Sequence, residues 1–372
     1  MKATFFIIAL LILFSINGYV ILRGWQALAP AHAYRSTFVI SMLLLFVALM
    51  TGLVFPNNMP LGVAQAISFI GFSYLVIFTY LFLSFLAVDI IRIFNYYIHF
   101  FTKETMATFR MGFLVATLAI TFVAMIIGNY QFNHPKVVSL QLSVENPRQH
   151  KQIRIVAVTD LHVGINIGKK ILNKYVQLIN NQHPDLVLLP GDLTDRSVQP
   201  VIDQNMNEEF GAIKAPLGVF AVNGNHEHYA ESPTASSDYI QKSGIVYLHD
   251  EARLVDNSFY VVGREDRSNR HRKKLLEIVR GLDEDKPKIL LDHQPSHFDA
   301  ARQNGIDLQI SGHTHNGQFF PGNLFVKRIF ECGYGYYKRG KTHYYVSSGL
   351  GLWGPQYRIG TQSEIVVITL KY

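Results

Sequence analysis

Four long apolar stretches without Lys, Arg, Asp or Glu dominate the first third of the chain: residues 3–22, 37–55, 61–88 and 111–135. Each has enough residues to cross a hydrocarbon core of about 30 Å at about 1.5 Å per residue. The pattern therefore predicts four transmembrane helices in a first domain, residues 1–134. A cleavable signal peptide is the alternative for the first stretch, because small residues near positions 27–33 imitate a cleavage site. We expect retention, since this run exceeds a signal core of about 7–15 residues and three spans follow.

Shorter apolar runs alternate with amphipathic segments in the second domain, residues 135–372. Residues 137–144 alternate apolar and polar positions as a half-buried strand does, whereas residues 169–181 place apolar side chains at helical spacing. The other predicted strands are residues 153–158, 186–189, 219–222, 289–291, 308–310, 344–347 and 365–370. Alternating strands and helices predict an α/β domain that is large enough to bury its own core.

Basic residues are distributed unevenly among the loops between the apolar stretches. The N-terminus carries only Lys2 and residues 56–60 carry none, whereas the loops after the first and third stretches carry Arg23, Arg35, Arg92, Lys103 and Arg110. Loops rich in Lys and Arg stay in the cytoplasm. With four spans, this bias predicts that both termini and the second domain are extracytoplasmic.

Charge and cysteine content indicate neither a nucleic-acid-binding protein nor a protein with intrachain disulfides. The formal net charge is +7, and the first 134 residues already contribute six basic and two acidic residues. The surplus left for the second domain is too small to indicate binding of nucleic acid. Cys332 is the only cysteine, so the chain cannot form an intrachain disulfide.

Five short polar motifs each follow an apolar run of the second domain. In order, they are Asp160-Leu161-His162, Gly191-Asp192-Leu193-Thr194-Asp195, Gly224-Asn225-His226-Glu227, His293 and Gly312-His313-Thr314-His315. Loops at strand ends would gather these side chains into one cluster. Carboxylate, imidazole and amide donors suit a pair of divalent cations roughly 3.5–4 Å apart, which indicates a hydrolytic enzyme.

The spacing within the motifs gives two further expectations. Asp192 is the natural bridging ligand, because it follows a strand and a glycine that lets the backbone turn tightly. Asp160 and His162 alternate along what we take to be extended chain, so we expect them to project towards the same face. His313 and His315 have the same spacing.

The ordered motifs resemble those of the calcineurin-like metallophosphoesterases over residues 152–370. Ser311 to His315 with Gly317-Gln318, Gly349-Leu350-Gly351 and Arg358-Ile359-Gly360 look like the membrane-associated bacterial branch, which often has Gly at the position of Asn316. The resemblance implies two mixed β-sheets sandwiched by helices, following an N-terminal four-helix transmembrane region. It also implies one metal held by Asp160, His162, Asp192 and His315, and a second held by Asp192, Asn225, His293 and His313.

The resemblance further implies roles for residues that are not metal ligands. His226 would stabilise or protonate the leaving oxygen, and Asp195 would orient His226 and favour its protonated form. Arg196 would bind phosphate, although an arginine after a turn is often only a surface ion-pair partner. The ions would be Mn, Fe or Zn, because imidazole ligands suit these metals better than calcium.

The functional hypothesis is a membrane-anchored phosphoesterase with two metals, acting through a hydroxide that bridges them. The partners expected are the lipid bilayer of a bacterial membrane and a phosphorylated substrate, either a phosphodiester or a lipid-linked or cell-envelope phosphate. A pyrophosphatase acting on a UDP-diacylglucosamine-type substrate of lipid A synthesis is an alternative, although that work is expected on the cytoplasmic face. A metal-containing sensor or scaffold without catalysis is a further alternative.

Three features outside the predicted ligands have open interpretations. Asp292 could orient His293 or be a solvated turn residue, and Glu227 could hold the Asn225 loop or face solvent. The basic run of residues 267–274 is typical of a solvated face, but it could also attract an anionic lipid or substrate. Aromatic residues near the C-terminus are expected in core hairpins, with a minority at an amphipathic rim.

Overall fold

A computed structural model describes residues 2–144, 151–230, 232 and 234–372. The chain forms two compact units. The first comprises residues 1–127 and 354–356, and the second comprises residues 128–353 and 357–372. Each unit has its own buried core.

The first unit is helical, and its four long helices are α1 Lys2–Ala27, α2 Arg35–Val54, α3 Leu61–Ile98 and α4 Lys103–Asn133. All four are long and apolar enough to cross a membrane, which confirms the predicted helices. The helices α2 and α3 pack closely where Gly71 lies against Leu49, since a Cβ at Gly71 would be 2.5 Å from the Cα of Leu49. The last turns of α4 belong to the second unit, where Phe132 is buried in the core.

Helix α3 extends ten residues past the charge-free stretch, through Asp89 and Arg92. Asp89 forms ion pairs with Arg23 at 2.7 Å and with Arg92 at 2.8 Å, and it accepts a hydrogen bond from Tyr19. These partners satisfy a carboxylate that would otherwise be costly between apolar helices. The end of the charge-free stretch therefore did not mark the end of the helix.

The second unit contains two six-stranded sheets. The first sheet has the order β1-β12-β2-β3-β4-β5, formed by Lys136–Ser143, Glu364–Lys371, Gln152–Ala157, Leu186–Pro190, Val219–Val222 and Val246–Tyr247. The second has the order β10-β11-β9-β8-β7-β6, formed by Gly335–Arg339, Thr342–Val346, Leu308–Ser311, Lys288–Leu291, Phe259–Gly263 and Glu251–Val255. Both sheets are mixed: β12 is antiparallel to β2, and the edge strands β6 and β10 are antiparallel to their neighbours.

The two sheets pack face to face, with helices on their outer faces. Ile155 of β2 and Phe220 of β4 share one buried cluster with Ile289 of β8. The remaining helices are α5 Lys169–Asn180, α6 Gln199–Asp203, α7 Asn207–Gly211, α8 Asn225–Tyr229, α9 Ala235–Ile240, α10 Leu275–Val279, α11 Phe298–Gln303 and α12 Gly322–Ile329. Helix α5 covers the first sheet, and α10 and α11 cover the second. This confirms the predicted sandwich of two mixed sheets between helices.

Every strand predicted from the sequence is present, with ends that differ by at most two residues. The strands β5, β6, β7 and β10 were not predicted. Strand β5 is only two residues long, whereas β6 and β10 are edge strands that contain charged and exposed residues. Strands β6 and β10 form because they pair with β7 and β11. Such pairing does not require a strong apolar pattern, so the sequence does not reveal these two strands.

Candidate metal centre

Five loops, each at the carboxyl end of a parallel strand, supply the side chains of the candidate centre. The loop after β2 carries Asp160 and His162, and the loop after β3 carries Asp192. The loop after β4 leads into Asn225 at the start of α8. The loops after β8 and β9 carry His293, His313 and His315. Both sheets therefore contribute donors, and the structure brings all seven predicted metal ligands together.

The first group of donors consists of Asp160, His162 and His315. The Nε2 atoms of His162 and His315 lie 3.2 Å apart. The Asp160 Oδ1 atom lies 3.9 Å from the former and 3.5 Å from the latter. All three residues are buried, so their donor atoms converge on a small enclosed volume.

The second group consists of Asp192, His293 and His313, joined by the amide of Asn225. The Asn225 Oδ1 atom lies 3.2 Å from His293 Nε2 and 2.7 Å from His313 Nδ1. The Nδ1 atom of His293 lies 2.9 Å from the carbonyl of Pro190 and donates to it, which leaves Nε2 free to face the donors. Such a backbone partner fixes the tautomer of a ligating histidine.

Asp192 lies between the two groups. Its Oδ2 atom is 3.7 Å from His162 Nε2 and 3.2 Å from His293 Nε2. The residue before it, Gly191, has φ +88°, and a Cβ there would be 2.7 Å from His293 Nδ1. Glycine thus permits both the turn and the close approach. This placement is the one expected of a bridging ligand.

The expectation that Asp160 and His162 lie on extended chain is wrong. Both have positive φ, 55° and 47°, and so do His313 at 71° and His315 at 48°. Asp192 also has a positive φ of 53°. Left-handed turns, not strand alternation, therefore aim these donors into the centre. Non-glycine residues in this region cost conformational energy and cluster at functional sites.

The protonation states of the first group suit metal ligation. Burial, together with the nearby His226, lowers the pKa of His162 to about 3. Burial and His162 hold the pKa of His315 well below its usual range. Neutral imidazole is the form that binds a metal ion. Within the part of the chain that the structure describes, the Nδ1 atoms of both rings have no hydrogen-bond partner. Their Nε2 atoms face each other beside a carboxylate, so a cation fits this donor set.

In the second group, the imidazoles differ in protonation. Burial disfavours charge on both Asp192 and His293, yet their attraction holds the pKa of Asp192 well below its usual range and that of His293 well above. Burial and the neighbouring His293 lower the pKa of His313 to about 4. A proton on His293 thus balances the buried carboxylate, which is the charge that a divalent cation would supply.

His226 stands beside the donor groups and has a carboxylate partner of its own. Its Nδ1 atom lies 3.0 Å from Asp195 Oδ1, and its backbone N–H donates to Asp192 Oδ1 at 2.9 Å. Burial opposes charge on the ring, but Asp192 and Asp195 raise the pKa of His226 to about 9. The ring is therefore protonated near neutral pH. The structure places Arg196 next to Asp195, with its side chain exposed.

Two buried residues hold the donor loops in place. The Glu227 carboxylate accepts backbone N–H groups from Asp192 at 3.2 Å, Thr194 at 2.9 Å and Gly224 at 2.7 Å. This confirms that Glu227 holds the Asn225 loop and excludes a solvent-facing position. Arg358, fully buried, donates to the carbonyls of His315 at 3.0 Å and Gly349 at 3.1 Å. The sequence showed Arg358 only as part of the motifs of the membrane-associated branch. Its structural role was not predictable, because the residues that Arg358 contacts are distant in the chain.

The sequence did not reveal the partners of Asp292, which precedes His293. Asp292 is 2% exposed and forms ion pairs with Arg264 at 3.2 Å and Arg272 at 3.4 Å. It is therefore no solvated turn residue. Arg272 belongs to the basic run of residues 267–274, and Arg264 precedes that run. The run thus packs beside the His293 loop.

Comparisons with known proteins find similar metallophosphoesterases. A family model described as calcineurin-like phosphoesterase matches residues 153–317. An uncharacterized metallophosphoesterase of Campylobacter jejuni is 32% identical over 268 residues, which cover 71% of this chain and 70% of that protein. A transmembrane protein with metallophosphoesterase domain of Danio rerio is 32% identical over 72% of this chain and 65% of its own length. A metallophosphoesterase of Helicobacter pylori strain J99 is 32% identical over 70% of each chain.

Proposed function

The chain belongs to the calcineurin-like phosphoesterase family, and from this membership we propose that it is a membrane-anchored phosphoesterase that uses two divalent cations. The proposed substrate is a phosphodiester or a phosphate linked to a lipid or to the cell envelope. The observation that carries the proposal is the position of Asp192. One of its carboxylate oxygens lies between the two groups of imidazoles, and the other accepts the N–H of His226.

The donor set divides naturally between two ions. Asp160, His162, His315 and Asp192 would hold one, and Asp192, Asn225, His293 and His313 would hold the other. Mn, Fe or Zn suits this mixture of imidazole, carboxylate and amide oxygen. When bound, such ions activate water as a nucleophile and neutralise charge on the phosphate oxygens. Members of the family typically bind two metal ions, and the identity of the ions in this chain is part of what we propose.

His226 is the proposed proton donor to the leaving oxygen. Its Nδ1 atom is taken by Asp195, so the proton that can reach a substrate is the one on Nε2. Asp192 and Asp195 together keep the ring charged, and the hydrogen bond to Asp195 fixes its orientation. A scaffold without catalysis would need the metal ligands but not this second histidine–carboxylate pair, and the pair therefore favours an enzyme.

The four apolar helices and the transmembrane description of the Danio rerio relative indicate a membrane protein. An apolar helix surface next to the metal loops supports a lipid-linked substrate. Helix α12 follows the His313 and His315 loop, and its side chains Leu324, Phe325 and Ile329 are 53%, 65% and 72% exposed. The ring of Phe330, just after α12, contacts that of His313, with centroids 6.4 Å apart. Exposed apolar side chains beside a site can accommodate an acyl chain.

We infer that the protein lies in a bacterial cell membrane with the catalytic domain outside, on the basis of the basic loops described above. The location is independent of the chemistry proposed for the metal centre. It decides instead which substrates the centre can meet.

The first test is hydrolysis of a chromogenic bis-phosphodiester, a chromogenic phosphomonoester and a short-chain phospholipid by the purified full chain with added Mn. Asp192→Asn should lower kcat/KM about a thousandfold or more, because it removes the charge between the two donor groups. The matched control is Asp203→Asn, an exposed aspartate in α6, which should behave as wild type. Equal turnover by wild type and Asp192→Asn would contradict the proposed centre.

A further inference from the structure

The basic run of residues 267–274 folds into the wall of an open cavity of about 740 Å³. Its lining includes Arg264, Arg267, Arg270 and Arg272, with His297 on the opposite loop. Four guanidinium groups around one cavity form a strongly positive surface, and Arg is well suited to phosphate because its planar fork matches two oxygens. We call this cavity the arginine cleft.

Three acidic residues at the cleft, Asp292, Asp299 and Glu331, have basic partners already. Asp292 is held by Arg264 and Arg272. The two acidic lining residues pair outside the lining: Asp299 with Arg302 at 3.2 Å, and Glu331 with Arg339 at 3.1 Å. None of these three carboxylates pairs with Arg267 or Arg270.

Arg267 and Arg270 are the two guanidinium groups that remain available. Both are exposed, and within the described part of the chain neither side chain has a hydrogen bond or an ion pair. The positive potential of three of the lining arginines reaches His297, since partial burial and then Arg267, Arg272 and Arg264 lower the pKa of His297. A cleft with unpaired arginines over a base of paired ones is suited to an anion.

The arginine cleft is joined to the metal centre by one short loop. His293 is a candidate metal ligand, and His297 lines the cleft four residues later. Four residues span at most about 14 Å. The buried ion pairs of Asp292 with Arg264 and Arg272 fix the base of the loop, and Gln294 donates to the Asp266 carboxylate at 2.9 Å. The cleft and the centre are therefore within reach of one extended ligand.

We propose that the arginine cleft is a phosphate-binding subsite that holds a second phosphate group of the substrate through Arg267 and Arg270. The link to a substrate rests on the proposed function, whereas the binding of phosphate by the cleft does not. The ligand chemistry is a phosphate monoester or diester, which a lipid headgroup or a soluble phosphate can supply.

The test is calorimetric titration of the full chain in detergent, after a chelating resin has removed metal ions. Inorganic phosphate is the first probe, and dihexanoyl phosphatidic acid below its micellar concentration is the second. The double variant Arg267→Gln/Arg270→Gln should raise the Kd for phosphate at least tenfold. The double variant Arg253→Gln/Arg280→Gln removes the same charge from exposed positions outside the cleft and should leave the Kd within twofold.

The outcomes separate this proposal from the proposed function. Equal Kd values for the cleft variant and wild type overturn the subsite, and so does phosphate binding that occurs only after Mn is restored. Tighter binding of the lipid phosphate than of inorganic phosphate, lost in the cleft variant, assigns the site to a lipid headgroup; equal binding assigns it to phosphate alone. Because no turnover is measured, an inactive enzyme with an intact cleft would contradict the proposed function and leave the subsite standing.

Discussion

Glu227 shows how one buried side chain can control a centre that it does not ligate. Its carboxylate accepts three backbone N–H groups from the two loops that carry Asp192 and Asn225. In Glu227→Gln, an N–H₂ group would face some of these donors, so the loops must separate. We expect the affinity for Mn to fall about 10- to 100-fold, which is typical when a ligand loses its support.

The measurement is the Mn concentration that gives half-maximal hydrolysis of a chromogenic phosphodiester. Glu284→Gln, at an exposed position, is the matched control and should need the same Mn concentration as wild type. If Glu227→Gln showed unchanged Mn dependence, the loops would not rely on this carboxylate.

At the scale of single residues, the sequence predicted which side chains form the centre but not how they are aimed. The donors Asp160, His162, His313 and His315 were found from their motifs, and the structure brings them together. Their positive φ angles were not predicted, because a left-handed turn at a non-glycine residue is imposed by the surrounding fold. The roles of Arg358 and Asp292 depend on partners far along the chain, and a single sequence does not show such pairs.

Three elements of the second unit are joined by a cluster of two histidines around one glutamate. Glu265, after β7, lies 2.8 Å from His228 of α8 and 2.6 Å from His249, after β5. Burial opposes ionisation of Glu265, but the two imidazoles lower its pKa to about 2. The hydrogen bond to Glu265 raises the pKa of both His228 and His249.

These shifts set the pH range in which the cluster stabilises the fold. The carboxylate contributes fully above its ordinary pKa of about 4.5, and its contribution is lost as pH falls towards 2. The imidazoles contribute fully below their ordinary pKa of about 6.5, and their contribution is lost as pH rises through the raised values. We therefore expect Glu265→Gln to lower Tm more at pH 5.5 than at pH 8.5. Thermal unfolding at both pH values checks this, and an equal loss at the two would contradict it.

The metal centre should also act as a link between the two sheets. Asp160, Asp192 and Asn225 follow strands of the first sheet, whereas His293 and His315 follow strands of the second. An ion that binds only the folded state stabilises it by about 2.7 kcal/mol at a hundredfold excess over its Kd. We expect Mn to raise the Tm of metal-stripped protein by several degrees, and to raise that of Asp192→Asn by much less. A thermal scan with and without Mn measures both, and equal shifts would argue against binding at this centre.

The sequence predicted best those helices and strands whose own residues form a strong hydrophobic pattern. The four long apolar helices and central strands such as β3, all of whose residues are buried, carry that signal in full. Helix α3 extends beyond its charge-free stretch because Asp89 forms ion pairs with Arg23 and Arg92. Edge strands such as β6 are held by their neighbours, so their residues alone predict little.

At the scale of the whole molecule, the side of the membrane decides which substrates are possible. Four spans, an even number, would put the second domain on the same side as the N-terminus, as proposed above. The loops after the first and third spans carry five basic residues against Lys2 alone at the N-terminus. Retention of such loops in the cytoplasm would put residues 135–372 outside, as we propose. Envelope and outer-leaflet lipid phosphates would then be accessible, whereas cytoplasmic nucleotide-linked sugars would not.

Reporter fusions after Tyr372 in a bacterial host test this orientation. We expect alkaline phosphatase at this position to be active and green fluorescent protein to be dark, since each reports only one side of the membrane. Fusions after His99, between α3 and α4, serve as the internal control and should give the opposite pattern. A fluorescent fusion after Tyr372 would place the metal centre in the cytoplasm. It would then favour the alternative function, a pyrophosphatase that acts on nucleotide-linked acylated sugars.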